Sequence, residues 1–191
     1  MSRPHREHWN DLFMQEFSKE SDRASVILAA AMLEQELESL LRLRLVPSPN
    51  QEDALFDTPN APISSFSAKI ELAYRVGIIS PRTARELHLV RRIRNDFAHN
   101  ITGCTFENAA VQNRVVELVK SQGVVESFGD ERGNFLSGPK GDFQMTVSWI
   151  LWSLSGLSED IIPLSTENDV LKYSDIPQKT PSEVSDTDNA G

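Results

Sequence analysis

Three features of this chain predict an all-α fold. Apolar residues recur at steps of three and four in segment after segment, and no useful length alternates with period two. Serines, threonines and glycines also stand where helices of ordinary length would begin and end. The expected architecture is a single up-and-down helical bundle of about five or six helices over residues 1–160, followed by an acidic, disordered tail over 161–191.

Trp9, Leu12, Phe13 and Phe17 lie at helical spacing, which predicts a first helix from about His8 to Phe17. The segment Glu20 to Ala24 (ESDRA) supplies a cap and a charged first turn for the next helix, SVILAAAMLEQELESLLRLRL. That helix is rich in strong helix formers and places Val26, Ala30, Leu33, Leu37, Leu40 and Leu41 on one side. Glu38 and Arg42 can pair across one turn. Pro47, Pro49, Pro59 and Pro62 then mark a long loop carrying DALFD.

Phe66, Ile70, Ala73 and Tyr74 define a further helix, with Gly77 as its left-handed end and Ile78 folding back. The short GIIS turn makes it an antiparallel neighbour of the next helix, which opens on Ser80-Pro81. There Leu87, Val90, Ile93 and Phe97 form an apolar stripe over ELHLVRRIRNDFAHN. With about 100° per residue, Arg94 falls on the edge of that stripe, and His88, Arg92, Asn95 and His99 make a separate polar ridge. After the ITGCT break, Thr105 is expected to cap a helix containing Ala109, Val115, Val116 and Val119. Gly123 to Gly141 reads as irregular, and Phe143 to Leu157 as a last apolar helix whose Trp149 and Trp152 suit a core or dimer interface.

A formal net charge of −9 argues against a broad nucleic-acid footprint. Yet the Pro81–His99 segment carries five arginines against Glu86 and Asp96, while six acidic residues against two lysines follow Pro163. The single cysteine, Cys104, excludes an internal disulfide and suits a reducing cytoplasm. The polar N-terminus lacks a signal-peptide core, and no run of residues is apolar enough to span a membrane, so a cytoplasmic location is expected.

Chemistry concentrates in RNDFAH, Arg94 to His99. A guanidinium beside an apolar face needs an anion: Asp22, Glu34 or Glu36 within the chain, a phosphate, or another subunit. Five positions put Arg94 and His99 about 140° apart, so they converge only if the helix distorts near His99 or two copies combine their residues. His5 and His8 have metal-like spacing without further ligands, and Cys104 has no histidine partner, so neither a metal nor a cofactor is read. The segments on either side of GIIS also have the outline of a helix-turn-helix with Arg82 and Arg85 early in its second helix. That second helix spends its stripe on a core and carries its basic residues toward the wrong end for base contacts.

The blocks FSKESDRASVILAAAMLE, ALFDTPNAPISSFSAKIELAYRVGIIS and ELHLVRRIRNDFAHN together resemble the mannitol operon repressor family of small bacterial helical proteins, over about Phe17 to Val119. The hexad RNDFAH is also similar to the Arg-x4–6-His signature of HEPN domains, a resemblance that implies a HEPN-like form of the bundle. The first likeness implies transcriptional regulation without a recognisable DNA-binding helix. The second implies a metal-independent endoribonuclease in which Arg94, Asn95 and His99 of two subunits line a dimer cleft. His99 would then act as general acid or base, Arg94 would stabilise charge on the phosphate, and Asn95 would orient a partner. The reading adopted is a homodimeric regulator acting through protein partners, with Asp22, Arg23, His88, Arg91 and Arg92 as binding or interface residues. The alternative adds RNA as substrate; neither requires a membrane or direct sequence-specific DNA contact.

Overall fold

A computed structural model describes residues 19–100, 103–123 and 138–165. The expected helix at His8–Phe17 and all but the first residues of the expected tail lie outside these described residues. Five helices and no strand occur among them: α1 (Asp22–Arg44), α2 (Phe66–Arg75), α3 (Pro81–His99), α4 (Ala109–Gln122) and α5 (Gly138–Leu157). The protein is all-α, as its periodicity predicts.

Side-chain caps define the starts of α1 to α3. The Ser21, Ser65 and Ser80 hydroxyls accept from the amides of Ala24, Ala68 and Thr83, satisfying donors that a first turn leaves open. At the end of α2, Gly77 takes φ 75°, so Ile78 N–H reaches Ala73 O at 2.9 Å and Gly77 N–H reaches Tyr74 O at 3.1 Å. This is the two-bond left-handed stop that a Cβ would strain.

Two boundaries differ from expectation. Asn108, rather than Thr105, precedes α4; its carboxamide oxygen turns back to accept from Thr105 N–H at 2.7 Å and caps nothing. Helix α5 begins at Gly138, inside the stretch read as irregular, because Pro139 has the backbone angle a first turn requires and its missing N–H costs nothing there.

Helices α1, α3, α4 and α5 each touch the next in a closed ring, and α2 lies against α1 and α3. Helix α3 runs antiparallel to both its connected neighbours, as Glu71–His88, Asp96–Arg114 and Glu86–Ser121 pairings show. Helix α5 instead runs parallel to α1: Lys140 meets Glu20 O at its start, Gln144 meets Ser25, and the segment beyond its end reaches Arg44.

The core is continuous. Val26, Leu33, Leu37, Leu40 and Leu41 of α1 are fully buried with Leu87, Val90, Ile93 and Phe97 of α3. Phe106 bridges Phe97 and Phe143, with ring centroids 5.4 Å from each. Three aromatic expectations or apolar placements shift: Tyr74, Val116 and the Trp149–Trp152 pair are 40–49% exposed, so Trp149 and Trp152 are not core residues. Lys69 and Val111 occupy inward positions of α2 and α4 instead.

Candidate functional site

The outward side of α3 is set by what its inward side must bury. Ala84, Glu86, Leu87, Leu89, Val90, Ile93 and Phe97 face the bundle, which leaves Arg85, Arg92, Arg94 and His99 exposed. At the C-terminal end, Arg23 donates to Phe97 O and, at 2.6 Å, to Asn100 O. A guanidinium there closes open carbonyls and suits the negative end of the helix dipole. Arg23 is therefore a fastening between α1 and α3. Asp22 has a comparable duty: it accepts from Phe106 N–H at 3.1 Å and lies 3.5 Å from Lys140 Nζ.

Arg94 does not lie against the core. It is exposed and donates to the Asn95 carboxamide oxygen at 3.2 Å. None of Asp22, Glu34 and Glu36 forms an ion pair with it among the described residues; Glu34 is instead 2.8 Å from Lys69 Nζ. Water solvates a guanidinium at the rim of an apolar stripe, so the expected internal carboxylate is not needed. His99 is exposed in the last turn and makes no hydrogen bond among the described residues. The α-helix runs unbroken to His99, so Arg94 and His99 of one chain diverge by about 140°.

His88 is half-buried, with Nε2 3.1 Å from Glu71 Oε1 and with Nδ1 buried and unpaired. Arg91 is half-buried, its Nε likewise enclosed without a hydrogen bond, and Arg92 is exposed. His88 and Arg92 border a cleft of about 550 Å³ with Glu71, Tyr74, Arg85 and Glu117. The sequence reading missed that cleft, because Tyr74 and Glu117 come from separate helices and neither is distinctive alone. It also missed Glu86, whose fully buried carboxylate accepts from Ser121 Oγ at 2.7 Å, Gln122 Nε2 at 3.0 Å and Arg82 Nε at 3.2 Å.

Those bonds weigh on the DNA reading. Arg82 is held by Glu86 and Gln122, and Arg85 by Glu117 at 2.6 Å. The arginines that would begin a recognition helix are thus committed to α3 and α4 themselves.

No protein-family model matches the chain, and no curated protein and no solved structure matches it. The site must therefore be read from its own chemistry.

Cys104 lies half-buried beside Asp96 and Asp22. Burial raises its pKa first, Asp96 and Asp22 add to the rise, and Arg23 opposes it. The thiol stays protonated at neutral pH, unlike the lowered thiols of nucleophilic cysteines. Alkylation by iodoacetamide at pH 7 should be slower than that of free cysteine and should accelerate as pH rises above 9; a rate equal to or above free cysteine at pH 7 would contradict this environment. No cluster of His, Cys, Asp and Glu suited to a metal occurs among the described residues, and no helix there is long and apolar enough to cross a membrane.

Proposed function

We propose that the protein is a dimeric, all-helical regulator that acts on partner proteins through the outer face of α3. One observation carries this reading. In a chain of formal net charge −9, Arg42, Lys69, Arg82, Arg85 and Arg114 all have carboxylate partners. Arg91, Arg92 and Arg94, within four positions of α3, have none among the described residues. An acidic surface that leaves three neighbouring guanidiniums unanswered is suited to an anionic partner, and arginine favours planar carboxylate or phosphate groups. Two such faces brought together by a two-fold axis would repel unless an anion lay between them, which couples dimerisation to partner binding. The purified chain should scatter light as a dimer and leave a double-stranded promoter fragment unbound at physiological salt. Tight, sequence-specific binding of that fragment by the chain alone would overturn the reading.

The second reading, a metal-independent endoribonuclease, is favoured by the exposure of Arg94 and His99 outside any internal ion pair. A phosphodiester could lie between one subunit's imidazole and the other's guanidinium. In EDTA, wild type should then cut single-stranded RNA, and His99→Ala should reduce the rate at least about 100-fold with helicity and mass unchanged. Absence of wild-type cleavage removes this reading and leaves the regulator.

A further inference from the structure

We propose that the cleft between α2, α3 and α4 is a binding site for a small aromatic carboxylate, its ring beside Tyr74 and its carboxylate on Arg92. The inference goes beyond the regulator reading and holds whether or not the chain is a dimer. Three observations carry it.

Shape is the first. The cleft measures about 550 Å³, within the range of small-molecule sites. Ala84 and Leu89, both buried, give it an apolar floor on α3. Tyr74 of α2 borders the same space and is 41% exposed. It makes no ring–ring or cation–ring contact among the described residues. An aromatic side chain left accessible beside an apolar floor is suited to stack on a flat guest.

Polarity along the cleft is the second. Arg85, His88 and Arg92 recur at steps of three and four, so they share a strip about 60° wide on the outer side of α3. Two of them are answered from neighbouring helices, His88 by Glu71 at 3.1 Å and Arg85 by Glu117 at 2.6 Å. Arg92 is exposed and has neither an ion pair nor a hydrogen bond among the described residues. Tyr74 and Pro81 flank the Gly77 turn, so the aromatic end of the cleft is the turn end. From Ala84 to Arg92 the helix climbs about 12 Å, and the arginine stem can bend back over part of that distance. The cleft is therefore apolar at one end and cationic at the other, as an acid with a ring at its far end requires.

Charge is the third, and it selects the head group. Glu71 and Glu117 line the cleft with Arg85 and Arg92, so its fixed charges balance in a chain of net charge −9. One free guanidinium matches one carboxylate in a bidentate pair. A phosphate monoester would bring a second negative charge toward two resident carboxylates without a second free cation to meet it.

The test uses the full chain and naphthylacetate as probe, read by isothermal titration calorimetry. Naphthylacetamide, which lacks the charge, should bind at least about tenfold more weakly, and naphthyl phosphate should also bind more weakly than the carboxylate. Arg92→Gln should lower naphthylacetate affinity about tenfold, and Tyr74→Ala about fivefold. Both positions are exposed, so circular dichroism should show unchanged helicity. Absence of naphthylacetate binding to wild type at millimolar concentration overturns the proposal. So does binding that both variants retain undiminished, since the probe would then lie elsewhere. Tighter binding of the phosphate overturns the carboxylate assignment. None of these results bears on the regulator reading, which light scattering and the promoter fragment decide separately.

Discussion

Replacing Phe106 by alanine should cost about 3–5 kcal/mol of folding stability, the largest single loss expected in this chain. The ring is 2% exposed and touches Phe97 of α3 and Phe143 of α5, so it is the plug between two helices that share no turn. Truncation removes its transfer free energy and leaves a void that three separately anchored elements cannot close. The loop itself is pinned, because Phe106 N–H is bonded to Asp22 at the start of α1. Asp22→Ala should therefore cost less, about 1 kcal/mol, by freeing the loop without emptying the cavity. Urea denaturation of the two variants checks the order; a Phe106→Ala loss below that of Asp22→Ala would show that the ring is not a keystone.

Lys69→Ala should cost about 2–3 kcal/mol. Its ammonium is nearly buried, 2.8 Å from Glu34 and 3.1 Å from Glu38, and it joins α2 to α1. Burial alone would lower its pKa, but the two carboxylates outweigh that and hold it above the usual lysine range. Removing it leaves two carboxylates one turn apart on α1, with Arg42 still beside Glu38 but no cation paired with Glu34 among the described residues. The expected cost stays under that of a fully enclosed pair because both glutamates keep about 30% of their side chains exposed. Lys69→Met fills the space without the charge, and should recover little of the loss if repulsion dominates.

The same network sets the pH response. Burial raises the Glu38 pKa, yet hydrogen bonds and charge from Arg42 and Lys69 bring it below the ordinary carboxylate range. Its contribution is complete above the unfolded-state value and is lost as pH falls through the lower folded-state value. Lys69 has the opposite sign: its contribution is complete below the ordinary lysine value and is lost as pH rises through the higher folded one. Stability should be flat from about pH 5 to 10 and fall below about pH 4. In Lys69→Ala the acid limb should move to higher pH, since one of the cations holding Glu38 down is gone. An unmoved acid midpoint by circular dichroism would show that Arg42 alone suffices.

How much of this could be read beforehand depends on the range of the interaction. The Ser80-Pro81 start and the Gly77 stop of α2 are local chemistry, complete within a few residues, and both stand where they were expected. The α1 and α3 stripes follow from a period of 3.6 and are buried as expected. Thr105 does not cap α4 because the helix begins only after Asn108, whose carboxamide oxygen instead accepts from the Thr105 N–H and hydroxyl. Glu86 looked like one of two acids balancing five arginines. Only the arrival of Ser121 and Gln122, more than thirty positions away, makes its burial tolerable.

The candidate site divides in the same way. Amino-acid order alone determines that α3 has one apolar face, that Arg91, Arg92 and Arg94 fan out around the rest of the helix, and that Arg94 and His99 point apart. Which of those cations stay unanswered was decided by tertiary packing. Whether an arginine finds an acid depends on what neighbouring helices bring alongside: α4 delivers Glu117 to Arg85, while neither Arg92 nor Arg94 forms an ion pair among the described residues. Periodicity is a property of one helix, whereas charge compensation is a property of the space between helices, and that space exists only once the bundle has closed.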